Sequence, residues 1–230
     1  MIRGACLAAF LALGGCSGLT EDGGVAGLEI QVPRPPEVEV GQTITLQARA
    51  LDASGNTVDV PITWATPDTT LTVSGDGQVT GRTGGETGRV QAQAGALASD
   101  FVSFTVRPRP DTLVLSPDSV LTVAADAAAS APLVATLRSF APPQALADRA
   151  IVYTVTDPVF SDPADRTVEL VGGVLTLAAT TGADGAPAMP VTLGRITGRT
   201  APANAIVTVS AVTATGLPVP GSGQRFRVQF

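Results

Sequence analysis

Few side chains in this sequence are of types used for catalysis, metal binding or covalent modification, and the best-supported candidate is a cysteine near the start of the chain. The chain has 230 residues, with two Cys, no His and, among its positive charges, no Lys. The absence of His and Lys excludes a Ser-His-Asp triad, a histidine-bound metal, a Schiff-base lysine and a P-loop. The thiols of Cys6 and Cys16 remain, and Cys16 directly follows Leu13-Gly14-Gly15. A thiol can form a disulfide, bind a metal or carry a covalent modification, and the surroundings of Cys16 favour modification.

The residues before Cys16 have the three parts of an export signal. Arg3 gives a positive start, residues 5–13 are uncharged and mostly apolar, and two small glycines precede the cysteine. An apolar run this short cannot span a bilayer, which needs about 20 residues. The segment resembles the lipobox of bacterial lipoproteins, which implies that residues 1–15 are removed and that Cys16 carries a diacylglyceryl thioether. The alternatives are a plain secretory signal beside an accidental cysteine, or an uncut membrane anchor.

The resemblance also implies a location in the cell envelope. Ser17 follows the cysteine, and in a Gram-negative host this resembles the pattern of lipoproteins sent to the outer membrane. Two or three acyl chains anchor a protein stably, since each buried methylene adds about 0.8 kcal/mol. Residues 16–26 would form the lipidated start and a tether. The ten residues after Cys16 reach roughly 33 Å when extended, so the first folded unit should lie close to the bilayer.

The net charge and the number of cysteines restrict which partners and which covalent cross-links are expected. The formal net charge is −6, and the loss of Arg3 with the leader makes the mature chain more acidic. Without a basic cluster, nucleic acid is not an expected partner. Because Cys6 leaves with the leader and Cys16 is consumed by lipid, no disulfide is expected and stability must come from packing.

The remainder of the chain has the pattern of an all-β protein. Short runs alternate apolar and polar residues between Gly, Pro, Asp and Asn, as in residues 42–50, where Ile44, Leu46 and Ala48 share one face. Only residues 124–131 have a helix-compatible composition, and we predict a loop there because no apolar stripe is present and a proline follows. The predicted fold class is all-β, with two tandem immunoglobulin-like β-sandwiches after a cleaved signal peptide.

Residues 27–107 carry five ordered landmarks of a first domain. The landmarks are Val40-Gly41-Gln42-Thr43, Asp52 to Gly55, Ile62-Thr63-Trp64, Ser74 to Gly81 and Gly88 to Ala92. This stretch resembles the group 2 bacterial immunoglobulin-like domain, a two-sheet sandwich found in extracytoplasmic adhesins, enzymes and surface proteins. Trp64 is in phase with Val60 and Ile62, which predicts a core anchor. A sugar-stacking platform is the alternative for this side chain.

Residues 108–111 are predicted to be a Pro-rich linker. Proline at alternate positions favours extended backbone, so we expect the two units to be held apart end to end. Arg107 and Arg109 flank these prolines. We expect both arginines to be solvated linker charges, with an anion site as the alternative.

Residues 112–230 repeat the strand pattern in a second immunoglobulin-like β-sandwich. The segment resembles the invasin-type, group 1 repeat through an aromatic strand around Tyr153, the turn Thr181 to Ala186 and the strand Ile206 to Ala211. Residues 142–149 replace the Asp-Gly turn of that family. Three carboxylates within Asp157 to Asp165 could hold Ca²⁺, but their spacing differs from that of an EF-hand loop, and we expect a polar Pro-rich turn there. No catalytic, cofactor-binding or metal-binding residue is assigned.

These features predict a non-enzymatic, lipid-anchored extracytoplasmic protein acting in adhesion, envelope structure or protein-protein binding. A carbohydrate-binding or accessory module beside an enzyme or secretion complex is the alternative, and a plain structural spacer is a third. Besides the membrane, the partner would be a protein or a glycan. An exposed aromatic patch around Tyr153 or Phe160 would favour glycans, whereas an unpaired edge strand with few charges would favour proteins by strand addition. The loops of the second domain are the expected place of contact.

Overall fold

The structure is a computed structural model that describes residues 24–116 and 118–230. Cys16 and the predicted leader lie outside these residues. The first group of strands comprises β1 Gly27–Gln31, β2 Glu37–Glu39, β3 Thr43–Thr45, β4 Gln47–Leu51, β5 Thr57–Val58, β6 Thr63–Ala65, β7 Leu71–Val73, β8 Gln78–Gly81, β9 Glu86–Ala94, β10 Leu97–Ala98 and β11 Val102–Arg107.

The second group comprises β12 Thr112–Leu115, β13 Val120–Thr122, β14 Ala135–Phe140, β15 Pro143–Ala145, β16 Ala150–Asp157, β17 Val168–Leu170, β18 Thr176–Thr180, β19 Leu193–Arg195, β20 Asn204–Ser210 and β21 Gln224–Gln229. A short 3₁₀ helix, Pro163–Asp165, is the one helical element of the described residues. No strand pairing in the described residues joins the two groups. We call them the N-terminal unit (β1–β11) and the C-terminal unit (β12–β21).

The N-terminal unit is a sandwich with immunoglobulin strand order. One layer runs β2-β11-β9-β6, with β2 parallel to β11 and the other pairs antiparallel. In the other layer, β4 pairs with β1 while β3 pairs with β8, and β8 pairs with β7. Strands β3 and β4 are one strand interrupted at Leu46, whose N–H donates to the Gly77 carbonyl. The layers therefore correspond to the ABED and CFG sheets of a constant-type immunoglobulin domain.

The C-terminal unit repeats this order and extends it. One sheet runs β13-β21-β20-β16-β18, again with its first strand parallel to the second. In the opposite layer, β12 pairs with β14 and β17 with β19. Ser130 N–H and Leu133 N–H donate to the carbonyls of Leu193 and Val191 and so connect these pairs. The predicted all-β class with immunoglobulin-like sandwiches is confirmed.

Each unit has its own apolar core, formed by the inward residues of its alternating strands. Phe104, Leu71 and Val79 are central in the N-terminal core, and Trp64 packs partly buried against them. Gly77 has φ +82° in the turn beneath the indole, where a Cβ would lie 2.8 Å from Trp64 Nε1. Trp64 therefore contributes to the core, as its phase in the sequence predicts. In the C-terminal unit the core is larger and centred on fully buried aromatic and aliphatic side chains, among them Tyr153, Phe226, Leu137 and Leu193.

Candidate functional site at the joint

A charged joint connects the two units. From the N-terminal unit it receives the ends of β2 and β11, which lie side by side because these strands pair in parallel. From the C-terminal unit it receives Arg149, just before β16, and the turn after β20. The alternate prolines predict units that are held apart, whereas the structure places side chains of both units in direct contact.

Glu39 is the centre of this joint. It ends β2, and only 3% of its surface is exposed. The Ala214 N–H donates to Glu39 Oε1 at 3.0 Å, and Arg149 Nη1 lies 3.0 Å from Glu39 Oε2. The second contact has the distance of an ion pair without the alignment of a good hydrogen bond. One carboxylate thus holds two separate segments of the C-terminal unit.

Arg149 completes the connection from the other side. Its side chain is 15% exposed, and its Nη2 donates to the Pro108 carbonyl at 2.7 Å. Burial lowers the pKa of Arg149 and the Arg107 charge adds to this, while Glu39 and Glu37 oppose it. An arginine remains protonated in proteins even so. The joint therefore contains a buried, charged pair, and removal of either partner would leave the other uncompensated.

More exposed ion pairs surround the buried one. Arg107 Nη1 lies 3.1 Å from Glu37 Oε2, and its Nη2 donates to the Asp148 carbonyl at 3.1 Å. Arg109 contacts Asp111 Oδ1 at 2.9 Å. Arg109 is 55% exposed, as expected for a solvated linker charge, and Arg107 is 28% exposed. Each also pairs with a carboxylate that strand pairing or a two-residue spacing brings close. Exposed pairs of this kind contribute about 0–1 kcal/mol each.

An open cavity of about 460 Å³ lies beside the joint and is lined by both units. Its walls include Arg109, Phe140 and Leu217. The carboxylates in its wall are already occupied, since Asp111 also accepts from the Phe140 N–H at 2.8 Å and Glu39 is held as described. The arrangement suits fixing the two units together better than it suits acid-base chemistry.

One carboxylate of the Asp157 to Asp165 loop, that of Asp162, stabilises the local structure. Asp162 Oδ1 accepts the Ala164 N–H at 2.7 Å and caps the short 3₁₀ helix. Within residues 24–116 and 118–230, no three Cys, Asp or Glu side chains are grouped to hold a metal ion. The contact of Asp162 is of the kind found in the polar Pro-rich turn that the sequence predicts for this loop.

Within residues 24–116 and 118–230, the aromatic side chains do not form the patch that would favour a glycan. Tyr153 is fully buried, and burial raises its pKa, slightly opposed by the Ala135 backbone. Phe160 is partly buried against the core. In the described part of the chain, the exposed aromatic residues are Phe101 and Phe140, which lie in different units. Sequence reasoning missed Phe140, although its place three residues after Leu137 on an alternating strand puts it on the outer face.

Strand β18 is an uncharged edge of the five-stranded sheet, as protein binding by strand addition would require. Its ends are covered, however. Leu170 N–H donates to the Val174 carbonyl, and Ala188 N–H donates to the Thr180 carbonyl. The Leu175 carbonyl accepts the Val155 N–H of β16. Because backbone groups of an antiparallel strand point to its two sides in turn, the N–H and C=O groups of Thr176 and Ala178 point away from β16 and are free for pairing. This free edge is too short for a long added strand.

No helix of the described residues is long and apolar enough to cross a membrane.

No protein-family model and no curated protein matches the chain. The chain is similar to the adhesin InvE of Yersinia pseudotuberculosis, with 15% identity over 90% of this chain and 60% of that structure and a TM-score of 0.43. This chain therefore spans less than two thirds of the InvE structure.

Two further solved structures are similar. Domains 4 and 5 of the S-layer protein SbsC share 19% identity over 89% of this chain and 98% of that structure, with a TM-score of 0.35. The fibronectin(III)-like modules of Clostridium thermocellum CbhA share 12% identity over 87% and 93%, also with a TM-score of 0.35. Agreement at these scores is loose, so the immunoglobulin-like fold of this chain rests on its own strand order.

Proposed function

We propose that this chain is a non-enzymatic lipoprotein of the cell envelope that holds an immunoglobulin-like unit in a fixed position relative to its lipid anchor. Residues 1–15 are the signal peptide, and Cys16 carries the lipid. The tether follows to residue 26. The membrane is the outer membrane if the host is Gram-negative. The protein acts in adhesion, envelope structure or protein-protein binding.

In this proposal, residues 27–107 are a group 2 domain and residues 112–230 an invasin-type domain, joined through residues 108–111. The observation that carries the proposal is the burial of Glu39 between the two units, in contact with Arg149 and the Ala214 N–H. Domains on a flexible linker move independently by default. A buried charge pair across the joint opposes that motion, as a presenting or load-bearing protein requires.

Metabolic labelling with an alkyne fatty acid tests the anchor. The wild-type protein should be labelled, the Cys16→Ala variant should not, and Cys6→Ala is the matched control because that cysteine leaves with the leader. Equal labelling of wild type and Cys16→Ala would contradict the lipid anchor.

Protease shaving of intact cells tests the presentation. If the C-terminal unit faces outward, it should be lost from intact cells while a periplasmic marker survives. Protection of the protein until the outer envelope is opened would instead place it facing inward, and a surface-adhesion role would be refuted.

A further inference from the structure

The open cavity beside the joint has apolar walls that are exposed to solvent. Phe140 and Leu217 line it, and each is 65% exposed, while Pro218 and Pro220 extend the apolar lining. The cavity volume of about 460 Å³ lies within the range of roughly 300–1,000 Å³ that is typical of small-molecule sites, which occur preferentially at domain interfaces. Size, position and exposed apolar walls therefore fit a binding site for a small ligand.

The two carboxylates of the cavity wall are already used as acceptors within the protein. Asp111 Oδ1 accepts from Arg109 Nε at 2.9 Å, and Asp111 Oδ2 accepts the Phe140 N–H at 2.8 Å and the Ser139 hydroxyl at 3.3 Å. Glu39 is 3% exposed and is held by Arg149 and the Ala214 N–H. These carboxylates cannot attract a cation, so the polar group of a ligand here is an acceptor of hydrogen bonds.

Arg109 provides a donor for that acceptor. Its side chain is 55% exposed, and only Nε and Nη2 contact Asp111. Nη1 lies on the side of Gly41, where a Cβ would be 4.0 Å from it, and no hydrogen bond within residues 24–116 and 118–230 uses it. A guanidinium carries five N–H donors and can bind a second acceptor beside its first. Gln42 adds an amide NH₂ to the lining, because its Oε1 accepts the Glu39 N–H at 2.8 Å.

We infer that the cavity binds a small carboxylate that carries an apolar group. The carboxylate accepts charge-assisted hydrogen bonds from Arg109 Nη1, and the apolar group packs against Phe140 and Leu217. A neutral sugar is the poorer fit, because Phe140 is the one aromatic residue among the described residues of the lining. The inference goes beyond the proposed function and does not depend on the lipid anchor. Since the lining comes from both units, the ligand contacts both of them.

The experiment follows backbone amide chemical shifts of ¹⁵N-labelled full-length protein, extracted in detergent, during titration with three probes. N-acetyl-L-phenylalanine has the carboxylate and an apolar ring, its carboxamide has the ring without the charge, and acetate has the charge without the ring. N-acetyl-L-phenylalanine should shift the amides of Gly41 and Leu217, one in each unit. The carboxamide should bind about tenfold more weakly because the charge-assisted hydrogen bond is lost. Acetate should bind at least about tenfold more weakly because no ring is buried.

Three variants assign the contacts. Arg109→Gln should weaken N-acetyl-L-phenylalanine about tenfold and leave the carboxamide unchanged. Phe140→Ser should weaken both of these probes by the same factor, since both contain the ring. Arg138→Gln is the matched control for charge: it removes an exposed arginine two residues before Phe140 and outside the lining, and it should bind every probe as wild type does.

Each other outcome overturns the inference. Equal wild-type affinity for N-acetyl-L-phenylalanine and its carboxamide would show that no carboxylate is recognised. Equal weakening by Arg109→Gln and Arg138→Gln would mean that only net charge matters. Shifts confined to one unit, or no shifts at millimolar probe, would show that the cavity is not the site. Thermal unfolding monitors the fold of each variant, and Phe140→Ser keeps the test valid if Arg109→Gln disturbs the joint, because the exposed Phe140 ring lies outside the core.

Discussion

Replacement of Glu39 by Gln is expected to release the C-terminal unit from the N-terminal unit. The substitution keeps the size of the side chain and an oxygen for the Ala214 N–H, but it leaves the buried Arg149 without its counter-charge. Removal of one partner of a buried ion pair costs about 3–5 kcal/mol. A loss of about 3 kcal/mol shifts the balance between joined and separated units about a hundredfold.

Spin labels can measure this change as a distance between the units. Ser54 and Arg199 are exposed, one in each unit, and can be replaced by labelled cysteines in a background that lacks Cys6 and Cys16. The otherwise unchanged joint should give one narrow distance distribution. With Glu39→Gln the distribution should become broad, because Arg149 reaches water only when the joint opens.

Two variants separate the buried pair from general charge effects. Glu37→Gln removes the same charge from a partly exposed pair, so it should cost about 0–1 kcal/mol and leave the distribution narrow. Glu39→Gln/Arg149→Met keeps the acceptor for the Ala214 N–H and removes the arginine charge that Glu39→Gln leaves uncompensated, so it should restore a narrow distribution. A narrow distribution for Glu39→Gln would refute the conclusion that the buried pair fixes the joint.

Three further predictions concern stability. Hydrogen bonds from Arg89 hold the pKa of Asp68 below its ordinary 3.8. The stabilisation of the folded state by ionised Asp68 is therefore complete above pH 3.8 and is lost as the pH falls through the lower pKa of the folded state. The thermal midpoint of wild type should therefore fall in acid, and that of Asp68→Asn should fall less steeply. The buried Tyr153 hydroxyl lies near the Ala135 backbone but makes no well-aligned hydrogen bond in the described residues, so Tyr153→Phe should leave the urea midpoint unchanged or raise it; a loss above about 1 kcal/mol would show that the contact with the Ala135 backbone is a true hydrogen bond. Gly84→Ala would place a methyl group 2.7 Å from Pro108 Cα, so it should broaden the spin-label distances and destabilise by about 1–3 kcal/mol; unchanged distances would show that the linker yields.

The sandwich layers could be predicted from local alternation, because each inward face repeats every second residue. The alternation over residues 42–50 predicts one strand, whereas the structure divides it into β3 and β4 at Leu46, whose N–H donates to the Gly77 carbonyl. Trp64 packs against the core for the same reason. Local pattern is sufficient where a residue's environment depends on its own strand.

The joint could not be predicted in this way. Glu39 stands between Val38 and Val40, and strand alternation predicts an outward, solvated carboxylate. It is buried because its partners come from distant parts of the chain: Ala214 follows it by 175 residues. The burial of Arg149 could not be predicted either, since a single arginine before a strand is typical of a solvent-exposed position. Such contacts depend on how two complete folds meet.

We propose that a lipid on Cys16 fixes the immunoglobulin-like units to the envelope. Mass spectrometry of the N-terminal peptide from protein extracted from host membranes tests it most directly. We expect a peptide that begins at Cys16 and carries the mass of a diacylglyceryl group with or without a third acyl chain. An unmodified Cys16, or a peptide that retains residues 1–15, would contradict it.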